Sequence, residues 1–307
     1  MAPNYSHTPV MGDDVVSLFA PVPAGVLVDA TVGGGGHSAA LLAAHEGLTV
    51  VGLDRDTVAL EAARERLAPY ADRVTLVHAR FSALDEVTTG PFSGVLFDLG
   101  VSSPQIDEAG RGFSFRSDGP IDMRMDQTAG PTAGQLVNEL SERELASLFR
   151  ENGEGRLAGR IAHAVVAARP LSTTRQLADV VAASVPAAVR RKGHPATRVF
   201  QALRIAANDE LSELGAALPV ALDRLAVGGR CIVISYHSGE DRLVKEIFAR
   251  AADGGCICPP GLPCVCGAVA HHQLVFRGAR KPTAAEIAAN RRAESARLRC
   301  IVRVDVA

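Results

Sequence analysis

Three places along the chain combine residue types that do chemistry. The first is Asp29-Ala30-Thr31-Val32-Gly33-Gly34-Gly35-Gly36-His37-Ser38, a run of glycines behind an acidic residue. Glycines let the backbone turn tightly and let a ligand approach it closely. The first amides of a helix behind them point unpaired N–H groups at whatever binds. The dinucleotide fingerprint G-x-G-x-x-G would need glycine at position 38, where Ser38 stands, so a pyrophosphate-binding reading is weakened. The second place is Asp54, roughly twenty residues past the glycines, where a carboxylate can accept hydrogen bonds from ribose hydroxyls. Together these two features read as a site for an adenosine ligand before they say which one. The third is Phe97-Asp98-Leu99-Gly100-Val101-Ser102-Ser103-Pro104-Gln105. Asp98 there either faces a ligand crevice, on the side where a second substrate enters, or caps the following turn.

The elements that must position these residues alternate. Val26–Ala30, Thr49–Asp54, Val74–Val77 and Val95–Phe97 are short apolar runs that read as buried strands, the first two ending in Asp. Ser38–His45 and Thr57–Leu67 read as helices, the latter with Asp56 or Thr57 as its N-cap. This alternation predicts a parallel sheet covered on both faces. Residues 102–131 are rich in Gly, Ser, Pro and Asp and carry no period. From Thr132 to about Glu213 the chain is helical in character, with Leu136, Leu140, Leu145, Leu148 and Phe149 at helical spacing. The βα pattern then resumes with a helix over Asn208–Leu225, a turn at Gly228-Gly229, a strand over Cys231–Ser235 and a helix over Asp241–Arg250. The expectation is an α/β domain formed by residues 1–106 and 208–307, interrupted by an all-helical insert over 107–207.

Composition narrows the partners. No apolar run approaches bilayer length, and Met1–Met11 lacks the layout of a secretory signal, so a cytoplasmic protein without a membrane partner is expected. A net charge of −2 means that any nucleic acid must be held by local basic patches. Two stretches qualify: Arg190-Arg191-Lys192-Gly193-His194-Pro195-Ala196-Thr197-Arg198 with Arg204 beyond it, and Arg277, Arg280, Lys281, Arg291, Arg292, Arg297 and Arg299. Each is either a phosphate-binding surface or a solvated face. Cys256-Ile257-Cys258 and Cys264-Val265-Cys266 offer four thiols close together. Their C-x-C spacing differs from the usual C-x₂-C of zinc knuckles, so plain thiols without a metal are expected there, with zinc as the alternative.

Several stretches resemble the bacterial 16S ribosomal RNA cytosine-N4 methyltransferase family. They are His7-Thr8-Pro9-Val10, Asp29 to Ser38, Leu53 to Asp56, Asp98 to Gln105, Arg111 to Phe115, Gly119 to Asp126, His194 to Arg198 and Ser235 to Arg242. The resemblance spans the chain in order. It implies a Rossmann-like S-adenosylmethionine-dependent methyltransferase sheet, with S-adenosylmethionine as cofactor. The implied partner is 16S rRNA, within the small ribosomal subunit, methylated at N4 of a decoding-site cytidine. It also implies that Gly35, Gly36, His37, Asp54, Phe81, Asp98 and Gln105 form the cofactor pocket, with Asp98 the polar candidate for catalysis. Phe81 suits packing against adenine. A cytosine amine is a poor nucleophile because its lone pair is delocalised, and an acceptor at its N–H protons favours localising that pair. His237 and Glu240 stand either to orient the base or as structural residues. Tyr236 occupies a position where the family usually has Phe, and Gly239 one where Leu is common. Two alternatives stay open: a methyltransferase acting on another acceptor, and a non-catalytic RNA-binding assembly factor.

Overall fold

The computed structural model describes residues 9–191, 194–259 and 265–306. His7, Thr8, Lys192, Gly193 and Cys264 lie outside the described residues, as does the side chain of Arg190. The chain folds as two compact units, one formed by Val101–Glu210 and the other by the described residues before and after it.

The flanking unit is built on one sheet of seven strands: β1 (Gly25–Asp29), β2 (Leu48–Asp54), β3 (Val74–His78), β4 (Phe92–Asp98), β5 (Leu225–Ser235), β6 (His272–Leu274) and β7 (Arg297–Arg303). Their spatial order is β3-β2-β1-β4-β5-β7-β6. β1 to β5 pair in parallel, and β7 runs antiparallel to both β5 and β6. Alternation along β5 sends Ile232 and Ile234 into one core with Phe19, Leu41 and Leu298, and Cys231 and Val233 into another with Phe97, Leu218 and Phe248. A strand buried on both faces must be apolar at every position, which is why these runs are continuous in sequence. The chain builds outward from β1 through β2 to β3, then returns to place β4 on the other side of β1. The carboxyl ends of β1 and β4 therefore flank a topological switch point, where open α/β sheets form their ligand crevice.

Two features of this unit differ from expectation. β5 begins at Leu225, with Gly228 and Gly229 inside a bulge where the register jumps from Phe92↔Leu225 to Gly94↔Arg230. β7 is a strand where the sequence suggested a basic surface. It alternates Arg297, Arg299 and Arg303 with Leu298, Cys300 and Val302, and its arginines are partly engaged. Arg299 makes a bidentate pair with Asp241 (2.8 and 3.1 Å), and Arg280 beside it pairs with Asp14 at 2.8 Å.

The unit Val101–Glu210 is helical, with helices over Ala133–Glu139, Glu142–Phe149, Ala158–Ala167, Thr174–Ser184 and Ala196–Asn208. Thr132, Ser141 and Thr173 begin three of them as reciprocal capping boxes with Gln135, Glu144 and Gln176. Val137, Leu145, Phe149, Ile161, Val165, Leu177, Val181, Val199 and Leu203 form its core. The aperiodic stretch before these helices is tied by polar side chains. Buried Arg111 donates to the carbonyls of Arg124 (3.1 Å) and Met125 (2.9 Å). Arg124 in turn makes a bidentate pair with Asp122 (2.8 and 3.0 Å).

Candidate active site

Asp29, Asp54 and Asp98 end the three neighbouring strands β1, β2 and β4, so the sheet order alone brings three carboxylates to one edge. Their environments divide their roles. Asp29 is buried and accepts from the Ser38 hydroxyl (2.6 Å) and the Thr31 amide (3.3 Å); burial pushes its pKa above the usual carboxylate value. It ties the glycine turn to the helix behind it and is a positioning residue.

That turn leads into the helix Gly36–Ala44. Gly35 has φ +75°, and a Cβ there would lie 3.1 Å from Leu67 Cδ1 and 3.3 Å from Ala63 Cα, so both conformation and space require glycine. Asp54 reaches back to the turn: its carboxylate accepts from the amides of Gly33 (2.8 Å) and Asp56 (2.9 Å). Burial raises its pKa to about 6 despite those two bonds. Asp56 caps the next helix through the Val58 amide (3.1 Å), as the sequence suggested. Phe81 is buried, edge-on to Phe97 at 5.8 Å between centroids, with the Arg55 guanidinium 5.6 Å from its ring centre.

Asp98 is held by two hydrogen bonds, with a histidine ring beside it. Its amide donates to the Thr31 hydroxyl (2.7 Å), the Tyr236 hydroxyl donates to its Oδ1 (2.8 Å), and the His37 Nε2 stands 3.4 Å from its Oδ2. Its side chain nevertheless stays 24% exposed, so the carboxylate faces outward while it is being oriented. His37 is buried, and neither of its ring nitrogens has a hydrogen-bond partner among the described residues. A buried polar ring of this kind beside a carboxylate is a standing invitation to a polar ligand.

Tyr236 follows β5, and burial, followed by the adjacent Asp98 charge, raises its pKa well above the ordinary value, which keeps it a donor. The sequence flagged Tyr236 only as a departure from a family pattern. The structure shows that its extra hydroxyl lands on the candidate catalytic carboxylate. Thr31 carried no signal beyond its place in the glycine turn.

His237 and Glu240 together cap a helix. The His237 Nδ1 accepts from the amides of Gly239 (3.2 Å) and Glu240 (3.3 Å), capping the helix Ser238–Ala252. The Glu240 carboxylate returns to the amides of Tyr236 (2.7 Å) and His237 (3.2 Å). This box fixes the segment that carries Tyr236. Gln105 lies in the helical unit, where its side-chain oxygen accepts from the Ser102 amide (3.0 Å) in another capping box.

The family model described as the MraW methylase family matches residues 4–304. The chain belongs to the MraW methylase family. Relatives agree along the full length. A protein of Thermobifida fusca named ribosomal RNA small subunit methyltransferase H is 53% identical over 314 residues, covering 98% of this chain and 94% of that one. Proteins of the same name from Heliobacterium modesticaldum (48% identical; 98% and 99% covered) and Saccharopolyspora erythraea (51%; 97% and 93%) match similarly. The sheet of this MraW methylase is therefore the Rossmann-like methyltransferase sheet that the resemblance implies.

Proposed function

We propose that this protein transfers a methyl group from S-adenosylmethionine to the exocyclic N4 amine of a cytidine at the decoding site of 16S ribosomal RNA, acting in the cytoplasm on the small ribosomal subunit. The observation that carries the reading is Asp98: a carboxylate at the switch point, oriented by Thr31 and Tyr236 with His37 3.4 Å away, that still faces outward. Membership of a methylase family supports the reaction class, and the names of the relatives support the acceptor.

The residues fit the cofactor. Asp54 retains acceptor capacity for a ribose diol beside its two backbone bonds, and Phe81 offers an apolar ring for adenine. The glycine turn with Gly35 and Gly36 and the unsatisfied ring of His37 suit the amino-acid end. Gln105 joins this set on the resemblance, although its carbonyl is engaged in its own helix cap. Bound S-adenosylmethionine supplies an electrophilic methyl on a sulfonium. The protein's work is to hold the acceptor amine in line with that methyl and to keep water out. Asp98 accepts an N–H of the amine, which favours a localised lone pair and offsets positive charge as it develops.

Residues 107–207 serve as the substrate-recognition insert in this reading. Exposed Arg191 and Arg198 are its phosphate contacts, while Arg204 is withdrawn into a bidentate pair with Glu210 (2.8 and 2.9 Å). The test uses labelled S-adenosylmethionine and small subunits that lack the decoding-site methylation, with the label mapped by nuclease digestion and mass spectrometry. Label on N4 of one cytidine, lost with Asp98→Ala, is expected. Absence of label on subunits and free RNA, despite cofactor binding, would overturn the acceptor.

A further inference from the structure

The loop that follows the helix Ser238–Ala252 buries no side chain among its described residues. Gly254 (φ +67°) closes its neck: a Cβ there would fall 2.6 Å from the Val269 carbonyl carbon and oxygen, so the two ends of the loop touch. Beyond the neck the apolar side chains point outward, with Ile257 87% and Val265 88% exposed. Cys256, Cys258 and Cys266 bring their Sγ atoms within 4.8 Å of one another. The Cys256 and Cys266 sulfurs are 3.6 Å apart, far beyond a disulfide bond of about 2.05 Å. Four sulfurs tetrahedrally arranged at about 2.3 Å from zinc have edges of about 3.8 Å, close to the observed spacing. The Val265 amide also donates to Cys258 Sγ at 3.3 Å, a bond that orients a thiolate ligand.

We propose that Cys256, Cys258 and Cys266 hold a structural Zn²⁺ ion that pins this loop, a fourth donor completing the tetrahedron. This reverses the metal-free expectation drawn from spacing alone. The C-x-C separation matters less than the closeness of the three sulfurs, all within 4.8 Å of one another. His272 does not join the three thiols in one cluster of ligand atoms, and its Nε2 lies 3.1 Å from the Leu222 carbonyl. Each coordinating thiol gives its proton to solvent, and no redox change is involved. The loop leaves the end of Ser238–Ala252 remote from Tyr236, about 22 Å along a fifteen-residue helix, so the ion acts on the loop and not on methyl transfer.

The full chain, purified without chelators from zinc-supplemented medium, should carry about one Zn²⁺ per molecule by plasma mass spectrometry, and Cys258→Ser should carry essentially none. Replacement by Co²⁺ should give the intense sulfur-to-cobalt charge-transfer absorption of a thiolate site. Chelation should open the loop to limited proteolysis, with cofactor affinity unchanged. Zinc retained by Cys258→Ser, absence of the cobalt band, or a Cys256–Cys266 disulfide in the native protein would each overturn the assignment.

Discussion

Asp98 and Tyr236 meet across two adjacent parallel strands, and the contact between them is where a single oxygen atom has most leverage. Tyr236→Phe keeps the buried ring and removes only the donor to Asp98. A hydrogen bond to a charged group contributes about 1.5–3 kcal/mol, and water can partly replace it at an exposed carboxylate. The expected result is a fall in kcat of about tenfold, with little change in cofactor affinity or Tm; unchanged kcat would show that Asp98 needs no such orientation. Asp54 carries a different expectation. With its pKa near 6 in the folded chain and about 3.9 unfolded, the native state holds the extra proton between those values. Its contribution to stability is thus fully present below pH 4 and is lost as pH rises through 6. Cofactor binding has the opposite sign, since the ionised carboxylate is the better acceptor for ribose. Affinity measured by calorimetry should weaken below pH 6, approaching tenfold per pH unit, and Asp54→Asn should flatten that slope.

Elements were legible in proportion to how local their signals are. β1 to β4 declare themselves as apolar runs closed by Asp or His, and the glycine turn lies between two of them. The linear pattern alone therefore places their acids at one edge of the sheet. β7 was hidden because its alternating arginines resemble a charged patch, and only pairing with β5 shows them as one face of a strand. The hydroxyl of Tyr236 on Asp98 was illegible for the same reason: it depends on a contact that a linear pattern does not encode. The aperiodic stretch before the helices shows what substitutes for periodicity. Asn208, buried at the end of Ala196–Asn208, accepts from the Met125 amide (2.8 Å) and donates to the Met123 carbonyl (2.7 Å), while Met123 sits at φ +59°. Asn208→Ala strands both backbone groups in the interior, at a cost of about 1–3 kcal/mol for each group left unsatisfied. Urea unfolding should show a lowered midpoint with an unchanged m-value; a midpoint within error of the native chain would mean that water takes over those bonds.

At the scale of the whole molecule, a net charge of −2 gives no general attraction for RNA, so any affinity must be local and salt-sensitive. The structure sorts the basic residues by whether they already have a partner. Arg204 and Arg299 are locked into bidentate pairs with Glu210 and Asp241, and Arg280 pairs with Asp14 while stacking on Phe276 at 4.4 Å. Arg191 and Arg198 are exposed on the helical unit, and Arg198 donates to the Gly153 carbonyl at 3.3 Å. Counterion release makes log K fall with log salt in proportion to the phosphates neutralised, by roughly 0.7–0.9 for each contact. Replacing Arg191 and Arg198 together by Gln should therefore flatten the salt dependence of rRNA binding by about 1.5 in slope and weaken binding most at low salt. Arg299→Gln breaks an internal pair instead, so it should lower Tm and leave the slope where it was. The two variants carry the same change in formal charge per residue, which separates contact from bulk charge. If both slopes move alike, the protein's overall field governs binding; if neither moves, the first basic stretch is a solvated face and the rRNA is gripped elsewhere.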